Sequence, residues 1–321
     1  MEPRVLVSQP IPSAGLELLR QEGVDFDLNR DDRILPKGEL ISRLQGKEWL
    51  LCLLTDRIDA EVIEAAPDLK GIANCAAGYD NIDLNAAGER GIVVSNTPGV
   101  LTETTADLTW ALILAVARRI PEADRFTRAG LFKGWGINLL LGADVYGKTL
   151  GIVGAGRIGT AVALRARGFG MKLLYCSPRP NVAIERELGA VRVDLDRLLQ
   201  KSDFVSLHVP LTAETHHLIG ERELALMKRC AFLVNTSRGA AVDEAALIRA
   251  LREKRIAGAG LDVYEEEPRL CEGLRDLDNV VLLPHVGSAS FETRSRMAEM
   301  SARNLVAMVR GERPPNCVNL P

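Results

Sequence analysis

The chain has 321 residues, enough for two ordinary domains, and 47% of them are hydrophobic, which supplies material for buried cores. A charged fraction of 26% and a formal net charge of -3 exclude a general attraction to nucleic acid or to an acidic membrane surface, and so point to a small diffusible partner. The six cysteines (Cys52, Cys75, Cys176, Cys230, Cys271 and Cys317) are scattered, with no CxxC pair and none at zinc-ligand spacing near a histidine, so they read as reduced thiols of a cytoplasmic protein.

The N-terminal MEPRVLVSQP lacks the basic-then-apolar layout of a signal peptide and reads at once as a strand. Short apolar runs follow at RVLVS, WLLCLL, GIANC and GIVVS, separated by the helix-like stretches SAGLELLRQEG, KGELISRLQG and DAEVIEAAP. Cys75, just ahead of the loop Ala76-Ala77-Gly78, reads as a small buried filler. A longer helical pattern covers 100–130, with its apolar face on Leu108, Leu112, Ala115 and Val116; its most apolar part, WALILAVA, is far too short to span a membrane.

A second alternation starts at KTLGIV and runs through KLLYC, DFVSLHV, CAFLVNTS, AGAGLDV and NVVLLPH, with helices expected at 157–169, 221–228 and 243–253. Alternating strands and helices imply parallel sheets covered on both faces. The amphipathic FETRSRMAEMSARNLVAMVRG near the end leaves no strands for a third domain, so it is expected to pack back on the first. The fold expectation is therefore α/β: two doubly wound parallel-sheet domains. One is a discontinuous flavodoxin-like substrate or lid domain at 1–99 and 287–321, and the other a Rossmann dinucleotide-binding domain at 100–286.

GIVGAGRIG carries Gly154, Gly156 and Gly159 in the G-x-G-x-x-G spacing, directly after a strand and opening a helix. Glycines there permit a tight turn and close approach of backbone to a pyrophosphate, while the helix N-terminus offers unpaired N–H groups and the positive end of its dipole. Gly154, Ala155, Gly156, Arg157, Ile158 and Gly159 are accordingly expected to bind the cofactor. About 20 residues past the glycines, where an acid commonly holds a ribose hydroxyl, stand Ser177, Pro178 and Arg179. A hydroxyl and a guanidinium suit a 2′-phosphate, so NADP(H) is the preferred cofactor, with NAD(H) possible. One charge-assisted contact of about 2 kcal/mol corresponds to a preference on the order of 30-fold. The alternative is that Arg179 is a solvated loop residue and the turn tolerates both cofactors.

Three successive strands end in NTSRG, VYEEEP and LLPHVG, which places Arg238, Glu267 and His285 at the C-terminal edge of one sheet, where doubly wound folds bind ligands. Hydride delivered to the carbonyl carbon of a 2-oxo acid leaves charge on oxygen, and a proton donor must quench it. His285 is the expected donor, with Glu267 on its other ring nitrogen favouring imidazolium. Arg238 offers a planar fork for a carboxylate. The N–H groups around Ala77 and Gly78 are expected to hold the same carboxylate, so that substrate lies between the domains.

The motifs GIVGAGRIG, VNTSRGAAVDE, GLDVYEEEP and LLPHVGSAS, together with AAGYDNID and FKGWG, resemble those of the D-isomer-specific 2-hydroxyacid dehydrogenases, and among them most nearly the glyoxylate/hydroxypyruvate reductases. The resemblance covers nearly the whole chain from about residue 45. It implies that Arg238, Glu267 and His285 are catalytic, that Asp262 contacts the nicotinamide beside Thr236 and Ser237, and that the protein is a homodimer in which Trp135 helps shape the partner's substrate pocket. The NAD-dependent members usually have the acid that is missing after Cys176, so the cofactor expectation rests on this sequence. Asp107 stands where many members have Glu.

His216 and His217 lie side by side in TAETHHLIG without a neighbouring carboxylate pair, so no metal is expected, and His208 reads as a packed residue inside a strand. The expected function is NADPH-preferring reduction of glyoxylate or hydroxypyruvate to glycolate or D-glycerate. The alternatives are a reductase of another 2-oxo acid such as 2-ketogluconate, or a nucleotide-sensing scaffold of the same fold.

Overall fold

A computed structural model describes residues 4–319 as two compact units, one formed by the chain up to Leu101 together with the segment from Ser288, the other by Thr102–Gly287. The first unit runs β1 (Val5–Val7), α1 (Ser13–Gln21), β2 (Phe26–Leu28), α2 (Lys37–Leu44), β3 (Trp49–Cys52), α3 (Ala60–Glu64), β4 (Gly71–Asn74), α4 (Leu84–Glu89) and β5 (Val93–Ser95). The five strands are parallel in the order β2-β1-β3-β4-β5, the flavodoxin-like doubly wound arrangement.

Alternate side chains of these strands feed two cores. Leu6, Leu50, Ile72 and Val94 pack with Leu40, Leu44, Ile58 and Ile63 on one face. Val5, Val7, Leu51 and Ala73 pack with Leu19, Ala298, Ala302 and Leu305 on the other. With both faces covered, the strands read as continuous apolar runs rather than alternating ones.

The second unit begins with helices at Thr102–Ala117 (α5) and Ile120–Arg128 (α6) and continues through β6 (Thr149–Val153), α7 (Arg157–Ala166), β7 (Lys172–Cys176), α8 (Val182–Leu188), β8 (Val191–Arg192), α9 (Leu195–Lys201) and β9 (Phe204–Leu207). It closes with α10 (Glu221–Leu226), β10 (Phe232–Asn235), α11 (Glu244–Arg252), β11 (Gly258–Leu261) and β12 (Val280–Leu282). Its seven strands are parallel in the order β12-β11-β10-β9-β6-β7-β8. Counted from β6, this is the 3-2-1-4-5-6 dinucleotide-binding order with one further edge strand, and its switch point falls between β6 and β9.

The long helix α12 (Phe291–Val309) belongs to the first unit. Ser290 caps it by accepting the Thr293 N–H at 3.1 Å. It crosses α1 closely enough that a Cβ on Gly15 would lie 2.8 Å from the Ala298 carbonyl oxygen.

Several local expectations need correction. The helix expected over 100–130 is two helices, because Arg119 takes the left-handed conformation at φ 54° and Pro121 opens the next helix. The first of them has no single apolar face: Thr105, Ala106, Thr109, Trp110, Leu112, Ile113, Val116 and Ala117 are buried, whereas Leu108 and Ala115 are only half-buried. His208 lies one residue beyond β9 rather than inside it. Short elements without a strong period went unread: β2, β8, α4, α8 and α9, the last three each capped by an Asp or Asn side chain. Among the described residues no helix is long and apolar enough to cross a membrane.

Candidate active site

The glycine loop separates into two kinds of glycine. Gly154, at φ 94°, passes so close to the chain after β9 that a Cβ would lie 2.5 Å from the His208 carbonyl oxygen, and one on Gly159 would lie 2.1 Å from that of Gly154. Those two are demanded by the chain itself. Gly156 is not: its φ of -76° suits any residue, and an added Cβ would meet no atom within 4 Å. The space it leaves opens at the N-terminus of α7, where no side chain caps the first-turn N–H groups. An open cradle at uncapped amides fits a phosphate group. Ala155 and Ile158 are half-buried, and Arg157 is exposed.

The turn after β7 is tied to this loop. The Asn181 side-chain amide donates to the Ala155 carbonyl at 3.0 Å and to the Thr160 hydroxyl at 2.7 Å, while its oxygen accepts the Ile184 N–H that starts α8. Arg192, which the sequence reading missed, donates to the carbonyls of Ser177 and Pro178 at 3.1 and 2.8 Å, so a second guanidinium lies at the same turn. Arg179 is exposed, and no hydrogen bond or ion pair engages it among the described residues.

Arg238, Glu267 and His285 all follow strands of the seven-stranded sheet. His285 Nδ1 lies 2.7 Å from Glu267 Oε2, with the two side chains 27% and 29% exposed. Glu267 Oε1 accepts the Tyr264 N–H at 2.9 Å. Burial by itself would push the Glu267 carboxyl up, but the His285 hydrogen bond and charge, the Tyr264 N–H and the charge of Arg238 together hold it below the ordinary carboxylate range. An ionised carboxylate only accepts, so Nδ1 carries a proton, and Nε2 is the ring nitrogen that this pair does not use.

His285 itself sits at φ 52°, a left-handed conformation uncommon for a residue with a Cβ and costing about 1–2 kcal/mol. Asp262 holds it there. The Asp262 carbonyl accepts the His285 N–H at 2.9 Å, and its buried carboxylate accepts the Val286 N–H at 2.8 Å. Burial raises the Asp262 carboxyl above its ordinary range, against the opposing pull of the Val286 N–H, the charge of His285 and the Gly287 N–H.

Helix α5 supports the same edge with residues the sequence reading passed over. Thr105 Oγ1 donates to the Gly287 carbonyl at 3.1 Å, and Thr109 Oγ1 lies 2.9 Å from Thr236 Oγ1. Both stand in the polar start of α5, TETTADLT, where nothing in the sequence marks them as buried. Buried Asn235 folds the turn before Arg238, accepting from Ser237 N–H and hydroxyl and donating to the Arg238 carbonyl at 2.8 Å. The guanidinium of Arg238 donates to the Ser237 carbonyl at 2.9 Å. Gly239 brings this turn against the next strand end: a Cβ there would lie 1.8 Å from the Tyr264 carbonyl carbon.

In the first unit, Ala77 and Gly78 follow β4, and their carbonyls accept from the side-chain amides of Asn96 and Asn74 at 2.7 and 3.0 Å. Cys75 is buried and its thiol is pushed up to about 11 by that burial. Trp135 is 82% exposed. Asp107 is exposed and pairs with Arg165 of α7 at 2.8 Å. His216 and His217 have no carboxylate pair in their own loop, but one carboxylate reaches them from elsewhere: Glu265, 48 residues along the chain from His217, lies 2.6 Å from His217 Nε2.

This geometry has close counterparts. The family model "D-isomer specific 2-hydroxyacid dehydrogenase, NAD binding domain" matches residues 110–287. A glyoxylate reductase of Korarchaeum cryptofilum is 57% identical over 99% of this chain and 96% of its own length. One of Thermococcus litoralis is 54% identical over 99% and 97%. Among solved structures, an NADPH-dependent glyoxylate/hydroxypyruvate reductase of Sinorhizobium meliloti in complex with NADP and malonate superposes with a TM-score of 0.87, at 34% identity over 99% of this chain and 97% of that one. The doubly wound sheets, the glycine loop and likeness over essentially the full length agree: the chain belongs to the D-isomer-specific 2-hydroxyacid dehydrogenase family.

Proposed function

We propose that the protein reduces glyoxylate, and with it hydroxypyruvate, using NADPH in preference to NADH. The observation that carries the reading is the 2.7 Å pair of His285 and Glu267 at the edge of the dinucleotide-binding sheet, with Arg238 acting on the same carboxylate. Relatives more than half identical bear the name glyoxylate reductase, which supports the substrate.

When bound, a nicotinamide cofactor would supply hydride for the carbonyl carbon of the 2-oxo acid. The N–H groups at the start of α7, opened by Gly156, would hold its pyrophosphate, and Thr236, Ser237 and Asp262 would border its nicotinamide. Arg238 binds the substrate carboxylate and polarises the neighbouring carbonyl. His285, held by Glu267, gives its Nε2 proton to the oxygen as charge develops there, and the product leaves as the 2-hydroxy acid; oxidation runs the same transfers in reverse. Asp262 fixes the histidine turn, so its role in this reading is to hold His285 as well as to border the nicotinamide.

For the 2′-phosphate, Ser177 and Arg179 are the proposed partners, with Arg192 adding positive charge to the same turn. Dimerisation is part of the reading and is supported by the exposed apolar side chains Leu131, Phe132, Trp135, Ile137 and Leu141. Sedimentation equilibrium reads it directly.

The test is steady-state glyoxylate reduction with each cofactor, on the wild type and on Arg179→Ala. The expected result is an NADPH preference on the order of 30-fold that largely collapses in the variant. Equal use of both cofactors by the wild type would remove the phosphate-clamp assignment, and absence of glyoxylate turnover with either would remove the substrate.

A further inference from the structure

Away from the strand-end trio, His216, His217 and Glu265 bring two imidazoles and a carboxylate together, with one potential ligand atom from each lying within 4.8 Å of the others. The two rings stack at 4.1 Å between centroids, and His217 Nε2 is 2.6 Å from Glu265 Oε1. His217 holds the left-handed conformation at φ 50°. A residue with a Cβ adopts that backbone at a cost of about 1–2 kcal/mol, so the surrounding structure must impose it.

What imposes it is one shared anchor, the segment that follows Arg238. The His217 N–H donates to the Ala240 carbonyl at 2.8 Å, and the Ile219 N–H donates to that of Ala241 at 3.1 Å. The Glu265 N–H donates to Glu244 Oε1 at 2.9 Å, and Gly239 packs against the Tyr264–Glu265 peptide with no room for a side chain. The backbones of His217 and Glu265 are thus fixed from the same support, while the His216 N–H donates to the Thr212 carbonyl at 3.0 Å, so two of the three ligands are held in place before an ion arrives.

We propose that His216, His217 and Glu265 form a surface site for one divalent first-row transition ion of the zinc type. Two imidazole nitrogens and one carboxylate oxygen are a borderline donor set that zinc accepts with a fourth position left to water, whereas calcium and magnesium demand more oxygens. Tetrahedral bonds of about 2.0–2.1 Å set neighbouring ligand atoms roughly 3.3 Å apart. The His217–Glu265 pair therefore opens from 2.6 Å by about 0.7 Å and releases any proton it shares, while the widest separation in the set, within 4.8 Å, closes by up to about 1.5 Å through side-chain rotation. The side chains of that pair are 38% and 29% exposed, so the ion has access from solvent. It would clip the connection before α10 to the one between β11 and β12. The inference is independent of the substrate and cofactor assignments.

The test is calorimetric titration of zinc chloride into the full-length protein and into His216→Gln, His217→Asn, Glu265→Gln and, as a control, His285→Ala. Asn tolerates the left-handed backbone at 217, so that variant removes the imidazole without the strain. The expected result is one ion per chain, with affinity weaker by a factor on the order of 10 or more in the three ligand variants and retained in the control. Zinc should also raise the unfolding midpoint of the wild type and not that of Glu265→Gln. Unchanged affinity in the three ligand variants, loss in His285→Ala instead, or no zinc bound by the wild type would each overturn the site.

Discussion

Two places at the strand ends of the seven-stranded sheet, with three strands between them, reach fixed geometry by opposite means. Around the loop after β6, shape depends on what is left out: side chains at 154 and 159 would collide with backbone oxygens, and at 156 nothing fills the space. Around the turn after β12, shape depends on what is put in: the carbonyl and carboxylate of Asp262, the carboxylate of Glu267 and the hydroxyl of Thr105 all grip a segment of three residues. The first kind of site tolerates a change only where space is spare. The second tolerates a change only where another hydrogen bond covers the loss.

The largest effect separating the two places is expected at the histidine. His285→Ala should lower kcat for glyoxylate reduction by about 10²- to 10⁴-fold, the range for removal of a positioned acid, while NADPH affinity changes little. The pH profile sharpens the assignment. Reduction uses the protonated ring and should fall as pH rises. Oxidation uses the neutral ring and should fall as pH drops. Both dependences should vanish in the variant, and a variant that retains them would transfer the proton role to another group.

Next comes a pair of alanines in the glycine loop. Gly159→Ala forces a methyl onto the Gly154 carbonyl oxygen and should lower the unfolding midpoint, since overpacking of this kind costs about 1–3 kcal/mol. Gly156→Ala meets no protein atom and should melt like the wild type, yet bind NADPH more weakly by a factor on the order of 10. If Gly156→Ala binds the cofactor normally, the open space is not where the pyrophosphate lies.

The contrast also explains what could be read from the sequence. The glycine loop is local: strand, turn and helix occupy one stretch, and the spacing of Gly154, Gly156 and Gly159 states the geometry by itself. Arg238, Glu267 and His285 were legible as strand ends because the strands are strongly apolar, although their roles came from chemistry and from family likeness. The groups that hold them were not legible. Thr105 and Thr109 sit in a helix whose apolar residues dominate its pattern, and Asn235 closes a strand that reads as core. Glu265 is brought to His217 only by the crossing of two loops at Gly239. Short capped elements such as α4 and α9 were missed because a turn or two of helix carries almost no periodicity.

The smallest effect tests whether the hydrogen-bonded edge depends on that unread support. Thr105→Val keeps the shape of the side chain and removes only the donor to the Gly287 carbonyl. An uncharged hydrogen bond of this kind is worth about 1 kcal/mol, which corresponds to about fivefold if all of it acts on the placement of His285. We expect kcat to fall by up to that factor, with KM for NADPH unchanged, because the glycine loop has no share in this contact. Thr105→Ser keeps the hydroxyl and should recover most of the rate. If Thr105→Val and Thr105→Ser lose the same activity, the methyl packing of Thr105 rather than its hydroxyl supports the turn, and the histidine edge is then set, like the glycine loop, mainly by how space is filled.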